Sequence, residues 1–318
     1  LGIVGAGVMG VKVAAAAERI DGVTVTAVAD ADLGRAERLA AEYGARGCLN
    51  LAELVALDAV DAVYIALPHD LHVAACLESA AAGLHVLIDK PMCNTAEEAR
   101  AIIEARDAAG IQLMVGFSYR YRAEWNRARE LIASGALGTI RLVVDTLIES
   151  GAATPAWYWN SASGGGVIQL QTHHCFDRLA WLCDDSFVSV SCLAAGTEGS
   201  AENSAVINAK TSSGILTSLA VGFERGYSAA ARPATVIQGD RGHLVIDHDR
   251  TLWFDAGDQS SREDFSNDDW LLAEIEGFAE MCAGETGAPT AEDGRTALAC
   301  ALAAAESARH DGIPVRVE

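Results

Sequence analysis

The apolar run Leu1-Gly2-Ile3-Val4 leads straight into Gly5-Ala6-Gly7-Val8-Met9-Gly10, after which a helical pattern runs over Val11–Ile20. A strand that turns so sharply into a helix needs the first glycine for the turn and the second for room above the backbone. The third lets helix and strand pack closely. Helix N–H groups then face outward, and phosphate is the ligand they favour. Alone this pattern is weak. It gains force from Asp30, which ends the next apolar run twenty residues after Gly10. A carboxylate there accepts hydrogen bonds from the hydroxyls of an adenosine ribose. Loop, flanking elements and acid together predict a dinucleotide site. The same carboxylate repels a 2′-phosphate, so NAD is expected over NADP.

The first third continues in the same style. Candidate strands at Leu1–Val4, Val23–Ala29, Ala62–Ala66, His85–Ile88 and Gln112–Val115 alternate with helical patterns at Val11–Ile20, Leu33–Tyr43, Leu71–Ala82 and Thr95–Ala109. Thr95 with Glu98 three residues on is a capping box. This alternation predicts a doubly wound parallel sheet. From Thr139 the pattern changes: Ile140–Ile148, Phe187–Leu193, Ala205–Lys210, Ile215–Val221, Thr235–Gln238 and His243–Ile246 are strand-like, with turn clusters at 212–214 and 239–242. Consecutive strands joined by tight turns argue for an antiparallel sheet. Helical patterns at Asp269–Ala283 and Ala291–Arg309 close the chain and could cover a face of either part. A length of 318 residues suits two domains, drawn at 1–118 and 119–318.

Composition excludes several classes. With 51% hydrophobic and 21% charged residues the chain is not disordered. A net charge of −21 repels nucleic acid and anionic lipid. The longest charge-free window, Ser150 to Phe176, carries Pro155, Asn160, two glutamines and three consecutive glycines, so it is no membrane span. Eight scattered cysteines without a CxxC pair are expected as free thiols. The numbering opens inside a strand-like run, so a few residues are expected to precede Leu1, and a soluble cytoplasmic protein is the expectation.

Three further clusters stand out. Leu67-Pro68-His69 lies just past a strand's C-terminal end, the edge where ligands sit in doubly wound sheets. For His69 alone a proline turn with a surface histidine is the preferred reading. Asp89-Lys90-Pro91 ends the next strand. The chain has three lysines, Lys12, Lys90 and Lys210, against twenty arginines. An ammonium at this edge either donates a proton and polarises an oxygen, or is a surface lysine. Gly164-Gly165-Gly166 precedes His173-His174 and Asp177. With a helix starting near Leu170, His174 and Asp177 share a face with Arg178 beside them. A metal is disfavoured, because no second ligand group of suitable spacing follows. Trp157, Tyr158 and Trp159 either stack on sugar rings or are ordinary core aromatics.

Taken in order, these pieces resemble the glucose-fructose oxidoreductase, inositol dehydrogenase and MocA family over nearly the whole chain. The motifs are GAGVMG, AVAD at Asp30, YIALPHDLH, DKP where the family usually has EKP, GFSYRYR at 116–122, SGALG at 134–138, WYW followed by GGG, and HCFD at 174–177. The resemblance implies an α/β protein: an N-terminal Rossmann domain plus a C-terminal α/β domain with an open, largely antiparallel sheet, assembled as a homodimer or homotetramer. Cofactor contacts are then expected from Gly5, Ala6, Gly7, Val8, Met9, Gly10 and Asp30, from Leu67, Pro68, His69 and His72, and from Asp89 and Lys90. Lys90 matches the lysine that hydrogen-bonds the reacting hydroxyl. His174 matches the histidine that takes its proton, and Asp177 the acid that helps to hold the substrate. Arg120 and Trp157 are further substrate candidates.

The implied reaction is hydride transfer between NAD and a secondary hydroxyl or ketone of a cyclic polyol, sugar or sugar derivative. Relatives also imply two alternatives, a bound-NAD glycosidase or eliminase working by transient oxidation and a non-catalytic NAD-binding regulator. One departure stands out: four residues before the histidine the family's dehydrogenases usually carry an aspartate, and here that residue is Leu170. Leucine neither orients a proton carrier nor accepts a hydroxyl. A second departure, Asp89 for the usual glutamate, removes one methylene beside the lysine.

Overall fold

The computed structural model describes residues 1–151, 154–196, 200–224, 226, 234–247 and 249–318. The first elements are β1 (Gly2–Val4), α1 (Val8–Ala17), β2 (Ala27–Ala29), α2 (Leu33–Glu42), β3 (Arg46–Cys48) and α3 (Leu51–Val55). Then come β4 (Ala62–Ile65), α4 (His72–Ala81), β5 (His85–Ile88), α5 (Ala96–Ala109) and β6 (Leu113–Val115). All six strands are parallel, in the order β3-β2-β1-β4-β5-β6. The order reverses between β1 and β4, and ligands of such sheets bind outside the strand C-termini at that reversal. Helix crossovers bury both sheet faces, which is why β1 and β2 are apolar and buried throughout instead of alternating. Thr95 and Glu98 form the expected capping box on α5.

Two local differences have physical causes. Helix α1 starts at Val8 rather than Val11, because Gly7 serves as its N-cap and Gly10 is already inside the first turns. Strand β3 reads Arg-Gly-Cys and carries no apolar run, and α3 is only 5 residues long, too short for a periodic signal.

The remaining elements are α6 (Ala123–Ala133), β7 (Ile140–Ser150), α7 (Val167–Cys183), β8 (Phe187–Gly196), β9 (Glu202–Thr211) and β10 (Leu216–Glu224). After them come β11 (Ala234–Gly239), β12 (His243–Asp247), β13 (Thr251–Ala256), β14 (Gln259–Asp264), α8 (Trp270–Cys282), α9 (Ala291–Arg309) and β15 (Val315–Arg316). Nine strands form one sheet, β14-β13-β12-β11-β7-β10-β9-β8-β15, antiparallel at every pairing except β7 with β10. One face packs Val143, Leu147, Ile207, Leu219 and Val221 against Phe176, Leu179 and Leu182 of α7. The other face alternates outward and exposes Val144, Val206, Leu216 and Trp253.

The chain divides into two compact units, Leu1–Ser118 with Asp269–Arg295, and Tyr119–Asp268 with Thr296–Glu318. A division into 1–118 and 119–318 therefore misplaces residues 269–295. They return to the first unit because α8 packs along α1, where Arg19 also pairs with Asp269 at 2.5 Å. No helix among the described residues is long and apolar enough to cross a membrane.

In the core of the second unit Arg178 and Asp145 form a fully buried ion pair. Arg178 Nη2 donates to Asp145 Oδ2 at 2.5 Å, with 2% and 1% of the side chains exposed, and the Thr235 hydroxyl donates to Asp145 Oδ1. Burial works to lower the Arg178 pKa, and the Asp145 carboxylate overrides it and holds the guanidinium charged. Asp145→Ala leaves that charge without its partner and is expected to cost about 3–5 kcal/mol, read from the urea midpoint. A loss below about 1 kcal/mol, the range of exposed pairs, contradicts this account.

Candidate functional site

The loop after β1 is built by crowding on one side and space on the other. Gly5 takes φ +104° and donates its N–H to Ala29 O at 2.8 Å, while a Cβ on Gly10 would lie 1.9 Å from Gly5 O. Gly7 is the opposite case: a Cβ there would meet nothing within 4 Å. It caps α1 without any side-chain bond, and Val8 beside it is exposed. The first helical N–H groups therefore face open space, which suits an anion. Asp30 Oδ2 accepts from Ala6 N–H at 2.9 Å and Oδ1 from Asp32 N–H at 2.8 Å. A carboxylate has about four acceptor sites, so two backbone bonds orient it and leave capacity for a ribose diol. These residues fit a dinucleotide.

The next loops along the same sheet edge follow β4 and β5. Leu67 and Pro68 are half-buried, and His69 is buried, not the surface histidine that a proline turn suggests. His72, the first residue of α4, is 0% exposed. Its Nδ1 lies 2.8 Å from Pro91 O and its Nε2 2.9 Å from Leu67 O. Both histidines were expected among the cofactor contacts, and both are withdrawn into the unit. Asp89 accepts from Lys90 N–H at 3.0 Å and from the Tyr64 hydroxyl. Burial pushes the Asp89 pKa up, against the pull of the Lys90 and His72 charges. Lys90 is half-buried at the end of this loop.

The remaining candidates belong to the second unit. Helix α7 begins at Val167, three residues earlier than expected, with Gly166 as its N-cap at φ +103°. A side chain at Gly166 would strike the Glu202 carboxylate, whose Oε1 accepts from Ile168 N–H at 3.2 Å and so caps the helix. One at Gly165 would meet the carbonyls of Trp157 and Tyr158 at 2.5 Å. The glycines thus let the aromatic turn lie against the start of α7. Within that turn Tyr158 and Trp159 are half-buried and set their rings edge-on to Phe223. Trp157 is half-buried and rests on Tyr158 at 4.5 Å.

His174 is half-buried, and its ring meets the edge of Tyr119 at 5.1 Å. Tyr119 is itself held between the guanidinium groups of Arg122 and Arg178, at 4.0 and 4.2 Å, and against Trp125. Asp177 receives Arg120 through two bonds, Nη2–Oδ1 at 2.5 Å and Nε–Oδ2 at 3.1 Å, with only 2% of its side chain exposed. Each oxygen of its carboxylate thus receives one bond from Arg120, which fixes the guanidinium beside it. Leu170 is buried in the apolar core. Beside it Gln171 Nε2 donates to Glu149 Oε2 at 3.0 Å, and Gln171 Oε1 has no hydrogen-bond partner among the described residues. Tyr119 and Glu149 escaped the sequence reading. Tyr119 stood inside the GFSYRYR segment, and Glu149 carried no signal beyond ending a strand.

Residues 1–117 match the family model described as oxidoreductase family, NAD-binding Rossmann fold, and residues 125–245 match that of the GFO/IDH/MocA C-terminal domain. The chain is 30% identical over 322 residues to an inositol 2-dehydrogenase of Rhizobium meliloti, covering 96% of each. It is 39% identical over 134 residues to D-xylose 1-dehydrogenase (NADP(+)) 2 of Haloferax volcanii, covering 42% of this chain and 41% of that protein. With two other curated relatives the match spans about half of their length, 51% and 56%. A crystal structure from Sinorhizobium meliloti 1021, provisionally assigned as a myo-inositol dehydrogenase, superposes with a TM-score of 0.84 at 26% identity over 100% of this chain and 99% of that one.

The loop geometry separates two glycines by experiment. Gly7→Ala is expected to leave the melting temperature unchanged and to weaken NAD binding, because its methyl group enters only the open space. Gly10→Ala is expected to lower the melting temperature, because its methyl group overlaps a backbone carbonyl. Thermal melts and NAD titration of both variants check this, and equal behaviour of the two contradicts it.

Proposed function

We propose that this chain, which belongs to the GFO/IDH/MocA family of oxidoreductases with an NAD-binding Rossmann fold, moves a hydride between NAD and a secondary hydroxyl of a cyclic polyol, sugar or sugar derivative. The observation that carries this reading is the open face of the glycine loop at Gly7 beside an Asp30 carboxylate with acceptor sites to spare. The inositol and xylose dehydrogenases among the relatives support the substrate class. Gly5 to Gly10 would hold the pyrophosphate and Asp30 the adenosine ribose, with Leu67, Pro68, Asp89 and Lys90 toward the nicotinamide. Asp30 favours NAD, since a 2′-phosphate would meet its charge.

When bound, NAD supplies the hydride acceptor. The protein's own work is proton transfer and charge stabilisation. Lys90 donates a hydrogen bond to the reacting oxygen and stabilises the negative charge that develops on it. His174 takes the hydroxyl proton as general base, its ring steadied by the edge of Tyr119. Arg120, anchored by two bonds to Asp177, offers its guanidinium charge to substrate oxygens. Trp157 offers a half-buried aromatic surface to the apolar side of a sugar ring. The exposed apolar side chains on the second sheet's open face support a homodimer or homotetramer.

The test is nicotinamide absorbance with NAD and, separately, NADP against inositols, aldoses, amino sugars and glycosides. Reduced cofactor is expected to accumulate with one substrate group and faster with NAD. Silence across the panel from protein that binds NAD removes the dehydrogenase reading. Lys90→Met is expected to cut kcat by roughly 10²–10⁴ and leave NAD affinity mostly intact; turnover within a few-fold of wild type removes the role given to Lys90. Leu170→Asp places a carboxylate in the apolar core and is expected to lower the melting temperature and activity together. A stable variant with raised activity on myo-inositol would show instead that the leucine is a simple loss.

A further inference from the structure

The His72 side chain reaches the loops after both β4 and β5. Its ring is fully buried at the start of α4, with Nδ1 at 2.8 Å from Pro91 O and Nε2 at 2.9 Å from Leu67 O. A carbonyl oxygen only accepts, and a neutral imidazole donates from one nitrogen alone. The two contacts are both hydrogen bonds only when both nitrogens carry a proton. With one proton missing, a lone pair would face a carbonyl oxygen at hydrogen-bond distance, and the loops would part. The groups around the ring suit a cation. The Asp89 carboxylate acts on it directly and is itself held by Lys90 N–H and the Tyr64 hydroxyl. Lys90 stands next to Asp89, Glu274 of α8 acts on Tyr64, and the His69 ring lies 5.5 Å away.

We propose that His72 is a positioning residue, an imidazolium bridge that ties Leu67 to Pro91 and thereby sets where the NAD-contacting loop and Lys90 stand. This rests on the reading of that sheet edge as the NAD site. Burial lowers the pKa of His72, and Asp89 and the backbone groups of Pro91, Leu67 and Met92 oppose it. In the free protein the second proton is therefore lost below the usual histidine range as pH rises. If bound NAD holds the two loops at the bridged spacing, it favours the protonated ring. Binding then takes up a proton, and affinity rises as pH falls.

The experiment is 15N NMR of the histidine side chains in the full chain, with and without NAD, together with NAD titration from pH 5.5 to 8. His72→Gln and His72→Phe serve as comparisons. In the NAD complex the wild type is expected to show N–H protons on both nitrogens of His72, assigned by their loss in His72→Gln. NAD affinity is expected to fall with rising pH in the wild type and to lose that slope in both variants. His72→Phe keeps the ring shape, deletes both bonds and is expected to bind NAD about ten-fold more weakly or worse, the loss of at least one charge-assisted bond. His72→Gln, which can still reach one carbonyl, should lie between. Should His72→Phe fail to fold, the wild-type resonances and His72→Gln decide the matter. A single His72 N–H at every pH in the complex overturns the proposal, as does a pH slope unchanged in His72→Gln. NAD binding with the expected His72 signature but without turnover of any polyol overturns the dehydrogenase reading alone.

Discussion

A parallel sheet covered on both faces has no place for polar side chains along its strands. Five of the six strands of the first unit follow this constraint, with Ile3, Val28, Val63, Ile65, Leu87 and Met114 buried along them, while the edge strand β3 carries the exposed Arg46. Polar chemistry is pushed to the strand ends, and in this unit it gathers where the strand order reverses. Gly5 to Gly10, Asp30, Leu67 and Lys90 all follow C-terminal ends of β1, β2, β4 and β5. Their nearness follows from sheet topology before any side-chain contact is considered. The contacts then refine it: Asp30 holds the glycine loop by Ala6, and His72 holds the next two loops by their carbonyls.

The second unit meets the same constraint differently. Its sheet is packed by helices on one face, so alternate residues are free to be polar, but any polar group on the packed face must bring a partner. Asp145 sits there with Arg178 and Thr235. Arg178 also lies under Tyr119, whose edge meets His174. The pairing that makes a buried carboxylate tolerable thus also fixes the ring beside the candidate base. A buried pair of this kind adds little net stability, but it is strongly specific in geometry because either member alone is costly.

How much of this was legible follows from the range of each interaction. The glycine loop, Asp30 and the α5 capping box are local patterns, and a chain met as letters displays them. The two sheets were legible from the period of their apolar residues. Pairings that span long separations were not. Asp177 and Arg120 are 57 residues apart, and helical spacing alone gives no sign that both oxygens of Asp177 receive a guanidinium. His72 reads as one more histidine of a ligand loop until its burial and two carbonyl neighbours are seen. The return of residues 269–295 to the first unit depends on α8 finding α1, which no local pattern announces. Polar β14 and the three-residue β3 are strands because neighbours pair with them.

The two departures from the family pattern take different forms once placed. Asp89 is one methylene shorter than glutamate, and its carboxylate turns back to accept the N–H of the next residue, Lys90, while the Tyr64 hydroxyl donates to it. A short acid is therefore well used here: it stiffens the backbone that carries the lysine and lies near enough to His72 to act on its charge. Leu170 admits no such account through hydrogen bonding, because it belongs to the apolar core. That position is given to packing, and Asp177 is given to Arg120. The edge of Tyr119 restrains the histidine ring between them. An aromatic edge steadies an imidazole without supplying the negative charge by which a carboxylate raises its basicity. The proposed proton transfer at His174 then draws on a ring position set by Tyr119, and the proposed charge stabilisation falls to Lys90.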